Sequence, residues 1–129
     1  MEEQPKRILL VEDDRFLRKA AEATLRRQGF AVSAAADGEE ALLRAREGPD
    51  LILLDLIMPK LQGFEVLRIL KQEPTTRQIP IVVLSNLGQE SDVQQALQGG
   101  AVAYFIKANL SLQELVTKVQ TLFTGGAIT

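Results

Sequence analysis

Residues 51–63 read Leu-Ile-Leu-Leu-Asp-Leu-Ile-Met-Pro-Lys-Leu-Gln-Gly and join a short apolar run to a polar loop. The run at Leu51–Leu54 is unbroken, which is typical of a strand that is buried on both faces of a sheet. Asp55 follows directly, and we expect Pro59 to fix φ in the loop and Gly63 to relax the start of the next helix. The segment therefore predicts a central parallel strand that ends in a carboxylate.

Four further apolar runs alternate with five helical patterns along the chain. The runs are Ile8–Val11, Ile81–Leu84, Val102–Ile106 and the weaker Phe30–Ala34, which we interpret as an edge strand. Apolar residues at helical spacing mark the helices, namely Leu17, Ala21 and Leu25, then Ala41, Leu42 and Ala45, then Phe64, Leu67 and Leu70, then Val93, Ala96 and Leu97, and last Leu112, Leu115, Val116, Val119 and Leu122.

The predicted helix ends carry suitable residues. Asp14 can cap the first helix, and two helices begin with the capping pairs Asp37–Glu40 and Ser111–Glu114. Glycine pairs end the last two helices at Gly99–Gly100 and Gly125–Gly126. The alternation predicts an α/β fold, in which a five-stranded parallel sheet carries five helices on both faces. We take 2-1-3-4-5, a common order for such doubly wound sheets, as the expected strand order.

Composition restricts the class of protein. The 129 residues suit one domain over residues 1–129, with a core at about 6–123 and a C-terminal tail at 124–129. The chain has no cysteine and no histidine, which excludes disulfides, thiolate sites and histidine chemistry within it. The net charge of −2 does not suggest direct DNA binding, and no signal peptide or membrane span is evident. We expect a cytoplasmic protein.

Polar residues follow the predicted strands at one end. Strand one is followed by Glu12 and Asp13, strand three by Asp55, strand four by Ser85 and strand five by Lys107. The carboxyl ends of parallel strands share one edge, and ligands bind there where the strand order reverses. Each residue alone is ordinary in a turn or on a surface, but four of the five strands end in a suitable polar residue. We therefore expect Glu12, Asp13 and Asp55 to converge, with Ser85 and Lys107 to one side.

The converging groups favour phosphoryl transfer with a metal. Three carboxylates in one crevice repel each other unless a cation is present, and oxygen ligands select a hard ion such as Mg²⁺. A hydroxyl and an ammonium group beside them suit phosphoryl oxygens. The predicted chemistry is phosphoryl transfer onto a carboxylate, with the metal and Lys107 offsetting negative charge.

The chain resembles the receiver domain of bacterial response regulators over about residues 6–123. The segment Leu51–Gly63 is similar to the acceptor motif of that family, and residues 11–14 (Val-Glu-Asp-Asp) are similar to its acidic pocket. The resemblance implies a flavodoxin-like doubly wound fold. It also implies that Asp55 accepts the phosphoryl group, with Mg²⁺, or Mn²⁺ as the alternative, as cofactor.

The resemblance also assigns the other site residues. Asp13, Asp55 and the backbone carbonyl of Ile57 would bind the metal, and Glu12 would act through water. Ser85 matches the hydroxyl switch position and Lys107 the invariant lysine. Tyr104 matches the aromatic switch position, although it could instead be a core residue whose hydroxyl reaches water.

Four positions depart from the family pattern or affect how water reaches the acyl phosphate. Ala108 stands where the family normally has proline, commonly in a cis peptide, and we predict a trans bond there because a non-proline cis bond costs about 3–4 kcal/mol. Asn86 replaces a small residue and could restrict access or add a hydrogen bond. Ile57 and Leu87 are apolar where the family controls access of water, which predicts slow autodephosphorylation.

The expected partners are proteins. A sensor histidine kinase or a phosphotransfer protein would supply the phosphoryl group, and a downstream target would bind the face of helix four, strand five and helix five. A homodimer through that face and a larger parent protein are left open. We expect no direct DNA binding, no membrane association and no turnover of an external substrate.

Three alternatives compete with this interpretation. The first is a degenerate receiver that binds proteins without phosphorylation, for which the departures at Asn86 and Ala108 leave room. The second is an Asp-nucleophile phosphohydrolase, which usually needs an acid–base Asp at the position of Ile57. The third is a flavin-binding domain, which residues 12–14 disfavour because they would repel a phosphate in the absence of a metal.

Overall fold

The computed structural model describes residues 4–58 and 60–125 and consists of alternating strands and helices. The elements in order are β1 (Arg7–Val11), α1 (Arg15–Arg27), β2 (Ala31–Ala35), α2 (Gly38–Ala45), β3 (Leu51–Leu54), α3 (Gly63–Gln72), β4 (Ile81–Ser85), α4 (Glu90–Gln98), β5 (Ala103–Ile106), a 3₁₀ turn at Lys107–Asn109 and α5 (Leu112–Phe123). All strands pair in parallel in the order β2-β1-β3-β4-β5, which confirms the predicted fold class.

The strand register brings the polar strand ends together. Val11 is paired with Leu54 across β1 and β3, and the Asp55 N–H donates to the Val11 carbonyl over 3.1 Å. On the other side of β1, the Glu12 N–H donates to the Ala35 carbonyl over 3.0 Å. Glu12 and Asp55 therefore leave neighbouring strands at the same edge of the sheet.

Two apolar clusters sandwich the sheet. One face packs against α2, α3 and α4, and the other packs against α1 and α5. Alternate residues of a strand point to opposite faces, so Leu9 joins the first cluster and Leu10 the second. Every residue of β3 and β4 is buried, as their unbroken apolar runs predict.

The outer positions are less buried than the apolar pattern suggests. β5 begins at Ala103 rather than at Val102, and most of its residues are only half-buried because β5 is the second edge of the sheet. Leu17, Leu97 and Leu112, which we placed on buried helix faces, expose 47%, 40% and 36% of their surface. Helical spacing alone cannot show how far the apolar face of a helix is covered by its neighbours.

The helix caps agree with the predictions except in one detail. The Asp14 side chain caps α1, and Ser111 with Glu114 forms a complete capping box on α5. Asp37 accepts from the Glu40 N–H, but the Glu40 carboxylate accepts from the Ala36 N–H rather than from that of Asp37. The roles predicted for Pro59 and Gly126 lie outside the described residues. Across residues 4–58 and 60–125, no helix combines the length and apolar character needed to cross a membrane.

Candidate functional site

Three carboxylates meet at the carboxyl edge of the sheet. Single oxygens of Glu12, Asp13 and Asp55 all lie within 4.8 Å of one another. Glu12 and Asp55 expose only 6% and 4% of their surface, whereas Asp13 is exposed. A cluster of carboxylate oxygens of this size fits a hard divalent cation such as Mg²⁺ and offers an open side to solvent. The predicted convergence of the acidic residues is therefore present.

Lys107 bridges two of these carboxylates. Its Nζ donates to Glu12 Oε1 over 2.5 Å and to Asp55 Oδ2 over 3.0 Å, and its side chain is only 17% exposed. We expected the lysine to lie to one side of the acidic group, whereas its ammonium in fact contacts two of its members. The positive charge partly offsets the repulsion between two buried carboxylates.

Burial and ion pairing shift the pKa values of Glu12 and Lys107. Desolvation raises the pKa of Glu12, although hydrogen bonds from Lys107 and from the Asp14 N–H oppose that shift. Desolvation alone would lower the pKa of Lys107, but its hydrogen bonds to Glu12 and Asp55 and the charges of these two carboxylates together raise the pKa. The lysine is therefore a stable cation at neutral pH.

The two buried carboxylates, Glu12 and Asp55, are held by the same two kinds of contact. Each one uses one oxygen for Lys107 and the other for the backbone N–H two residues later. The Asp14 N–H donates to Glu12 Oε2 over 3.0 Å, and the Ile57 N–H donates to Asp55 Oδ1 over 3.2 Å. Two contacts on each side chain restrict its rotation, so these two carboxylates are held in place before any ligand binds.

Arg18 supports the acidic loop and was not predicted. Its guanidinium Nη1 donates to the backbone carbonyls of Glu12 and Asp13 over 3.0 and 3.3 Å. Arg18 lies in the second turn of α1 and so holds the β1–α1 loop against that helix. A basic side chain one turn after an acidic loop was the available sequence signal.

Gly63 allows two backbone segments to pack closely, and its role does not depend on a φ that only glycine adopts. Its φ is not positive, so our expectation that it relaxes the start of α3 is wrong. A Cβ atom at this position would lie 2.4 Å from Leu56 Cα and 2.5 Å from the Asp55 carbonyl oxygen. The missing side chain therefore lets the start of α3 contact the backbone of Asp55 itself.

The residues after β4 form a second polar group. Ser85 is fully buried, and its Oγ accepts from the Leu87 N–H over 3.2 Å. The Tyr104 hydroxyl donates to the Leu87 carbonyl over 2.5 Å, while its ring packs against the apolar cluster on that face. The Tyr104 side chain is therefore partly buried, and its hydroxyl has a partner within the protein.

Tyr104 offers a direct spectroscopic test of this contact. Desolvation raises the pKa of the phenol despite an opposing interaction with Ser85. The chain has one tyrosine and no tryptophan, so tyrosinate absorbance reports this residue alone. We expect the absorbance to rise at higher pH in the folded protein than in urea. Because the folded pKa is raised, the associated stability is present below the unfolded pKa and is lost as pH rises through the folded pKa. Equal titration curves would contradict the buried contact.

The four positions that depart from the family pattern differ in exposure and in their contacts. Ile57 is 53% exposed, and Leu87 packs against the apolar cluster. The Lys107–Ala108 peptide bond is trans, as predicted. Asn86 is exposed, and its Oδ1 accepts from the Ala108 N–H over 3.0 Å. The hydrogen bond that we considered for Asn86 therefore exists.

Comparisons with known proteins relate the chain to one protein family. A family model described as response regulator receiver domain matches residues 8–120. The gliding motility regulatory protein of Myxococcus xanthus is 38% identical over 117 residues, which are 90% of this chain and 15% of that protein. The other curated relatives compared are also much longer, so that the chain spans about half of their length or less.

Two solved structures show the same fold. The chemotaxis response regulator CheY4 of Vibrio cholerae is 28% identical with a TM-score of 0.84, and the match covers 92% of this chain and 98% of that one. The phosphorylated cyanobacterial phytochrome response regulator RcpA is 34% identical with a TM-score of 0.78, and the match covers 92% and 91%.

Proposed function

Because the chain belongs to the response regulator receiver domain family, we propose that it is a phospho-acceptor switch in which Asp55 takes a phosphoryl group from phosphohistidine. Receiver domains are signalling domains that interact with histidine kinases and downstream effectors. The observation that carries the proposal is the contact of Lys107 with Asp55 inside a cluster of three carboxylates. A sensor histidine kinase or a phosphotransfer protein is the proposed donor.

The acidic cluster would hold the divalent metal. Asp13, Asp55 and the backbone carbonyl of Ile57 are the proposed direct ligands, and Glu12 would act through water. When bound, Mg²⁺ supplies positive charge beside the phosphoryl oxygens. The cluster fits this ion because all of its identified side-chain ligands are oxygens and because one side is open to solvent.

The proposed reaction is an in-line displacement at phosphorus. A carboxylate oxygen of Asp55 forms the new O–P bond as the N–P bond of phosphohistidine breaks, and the electron pair of that bond returns to the imidazole ring. Lys107 lies 3.0 Å from Asp55 Oδ2 and can donate to an oxygen of the transferred group. The product is an aspartyl phosphate whose charge Lys107 partly offsets.

The proposed output uses the contacts beyond β4. A phosphoryl group on Asp55 would attract the Ser85 hydroxyl, which in the unphosphorylated chain accepts from Leu87. Since Tyr104 is bound to the carbonyl of the same Leu87, movement of this segment would release or shift the tyrosine. Phosphorylation would thus favour one of two arrangements of the α4, β5 and α5 face, which would bind a downstream protein.

The direct test is phosphorylation by a small acyl phosphate in the presence of Mg²⁺. Intact-mass measurement is expected to show one added phosphoryl group, which peptide mapping places on Asp55. A metal chelator is expected to prevent the modification. If neither this donor nor phosphorylated histidine kinases modify the chain, the degenerate receiver is the better interpretation.

Ile57 is expected to slow hydrolysis of the aspartyl phosphate. Its exposed apolar side chain cannot orient an attacking water, so Ile57→Asn should speed loss of the phosphoryl group by roughly tenfold. Decay measured by intact mass after removal of the donor provides the rate. Leu43→Asn is the matched control because Leu43 is 65% exposed on α2 and lies outside the acidic cluster. An unchanged decay in Ile57→Asn would reject this role.

A further inference from the structure

A side chain joins the chain segments that leave β4 and β5. Ser85 and Ile106 are the last paired positions of these two strands. Beyond them, Asn86 Oδ1 accepts from the Ala108 N–H over 3.0 Å. This contact adds a side-chain link where the backbone pairing ends, one residue beyond Lys107.

We propose that Asn86 is a positioning residue for phosphoryl transfer, because it holds the turn that carries Lys107. The inference rests on the proposed function. The turn at Lys107–Asn109 is a single 3₁₀ turn, closed by a hydrogen bond of 3.2 Å from the Leu110 N–H to the Lys107 carbonyl. Asn86 attaches the middle of this turn to β4. A displaced turn would change the reach of Lys107 toward Asp55, and reaction rates depend strongly on such distances.

Asn86 and Ala108, the two residues that are unusual for the family, are hydrogen-bonded to each other. A proline at position 108 would have no N–H, so Asn86 would lose its donor there. With Ala108 the N–H is present, and Asn86 supplies an acceptor of suitable length. Asn86 therefore holds this turn by a hydrogen bond. A proline at position 108 would instead restrict the turn by its ring.

The contact also connects the two candidate phosphoryl-binding segments. Asn86 lies between Ser85, whose Oγ accepts from the Leu87 N–H, and Leu87, whose carbonyl accepts from Tyr104. Through Ala108, the same segment is tied to the residue that follows Lys107. A movement of Ser85 toward the acceptor is thus transmitted to the lysine turn.

Because Asn86 is exposed, its effect on the reaction can be measured separately from its effect on stability. An exposed hydrogen bond competes with water and contributes little to global stability. Truncation should therefore leave the urea midpoint of unfolding unchanged while it alters the reaction. A large loss of stability in Asn86→Ala would overturn the positioning role.

The test is a double-mutant cycle on phosphorylation by a small acyl phosphate at saturating Mg²⁺. Asn86→Ala is expected to lower the rate constant by about threefold to tenfold, the range expected for one hydrogen bond. In Ala108→Pro, which lacks the donor, the same truncation should have no further effect. Gln89→Ala is the control, because Gln89 is exposed in the same loop and makes no side-chain cap bond. An unaltered rate in Asn86→Ala, or equal slowing in both backgrounds, would overturn the inference.

Amide exchange of Ala108 tests the contact without phosphorylation. In ¹⁵N-labelled protein without metal or donor, Asn86→Ala should speed exchange of this amide by about threefold to tenfold, and Gln89→Ala should not. Equal exchange in the parent chain and in Asn86→Ala would refute the contact even if phosphorylation were normal. If the parent chain takes up no phosphoryl group, the proposed function fails and the positioning role fails with it. The exchange data would still show whether the Asn86 contact exists.

Discussion

Asp55→Asn is expected to lower phosphorylation by a small acyl phosphate at least about 1,000-fold, because losses of this size or larger follow removal of a nucleophile. The amide that replaces the carboxylate cannot form an acyl phosphate, although it keeps nearly the same size. Intact mass over a time course measures the loss. Full modification of the variant at another residue would contradict the assignment of Asp55 as acceptor.

Asp50→Asn provides a matched control for that substitution. Asp50 precedes β3 at the opposite edge of the sheet, and its Oδ2 accepts from the Arg7 N–H over 2.8 Å. An asparagine there retains an acceptor oxygen, so the fold and the phosphorylation rate should both be kept. In Asp55→Asn, Lys107 keeps its contact with Glu12, and unfolding is therefore not expected to explain the lost reaction.

Gly63→Ala is expected to lower the free energy of unfolding by roughly 3 kcal/mol, at the upper end of the usual cost of overpacking. The added Cβ would lie 2.4–2.5 Å from backbone atoms of Leu56 and Asp55, which cannot rotate away as a side chain could. Equilibrium unfolding in urea measures the change. Since the contacted carbonyl belongs to the acceptor residue, phosphorylation of the folded fraction should also slow.

Gly88→Ala is the control for this second substitution. Among the residues that the structure describes, a Cβ at Gly88 would meet only Ile106 Cδ1, at an ordinary distance of 3.7 Å. Its φ is not positive, so alanine is tolerated there without backbone strain. The control should change the free energy of unfolding by no more than about 0.5 kcal/mol. Similar losses in both variants would show that close approach at Gly63 is not the cause.

Local patterns in the sequence predicted the sheet and the residues at its edge. The unbroken runs at Leu51–Leu54 and Ile81–Leu84 indicated buried parallel strands because a strand covered on both faces has no polar side. Once these strands were placed in parallel, the polar residues after them had to share one edge. The convergence of Glu12, Asp13 and Asp55 followed from that shared edge and from the strand order, which places β1 beside β3.

The contacts across that edge depended on the tertiary structure. Lys107 lies 95 positions from Glu12 and 52 from Asp55, and no local periodicity shows that one ammonium contacts both. The close approach at Gly63 and the hydrogen bond between Asn86 and Ala108 also required known backbone positions. Periodicity records which face of an element is apolar, whereas packing decides the distances between side chains. The sequence alone thus determined which groups reach the edge, and the fold decided how they contact one another.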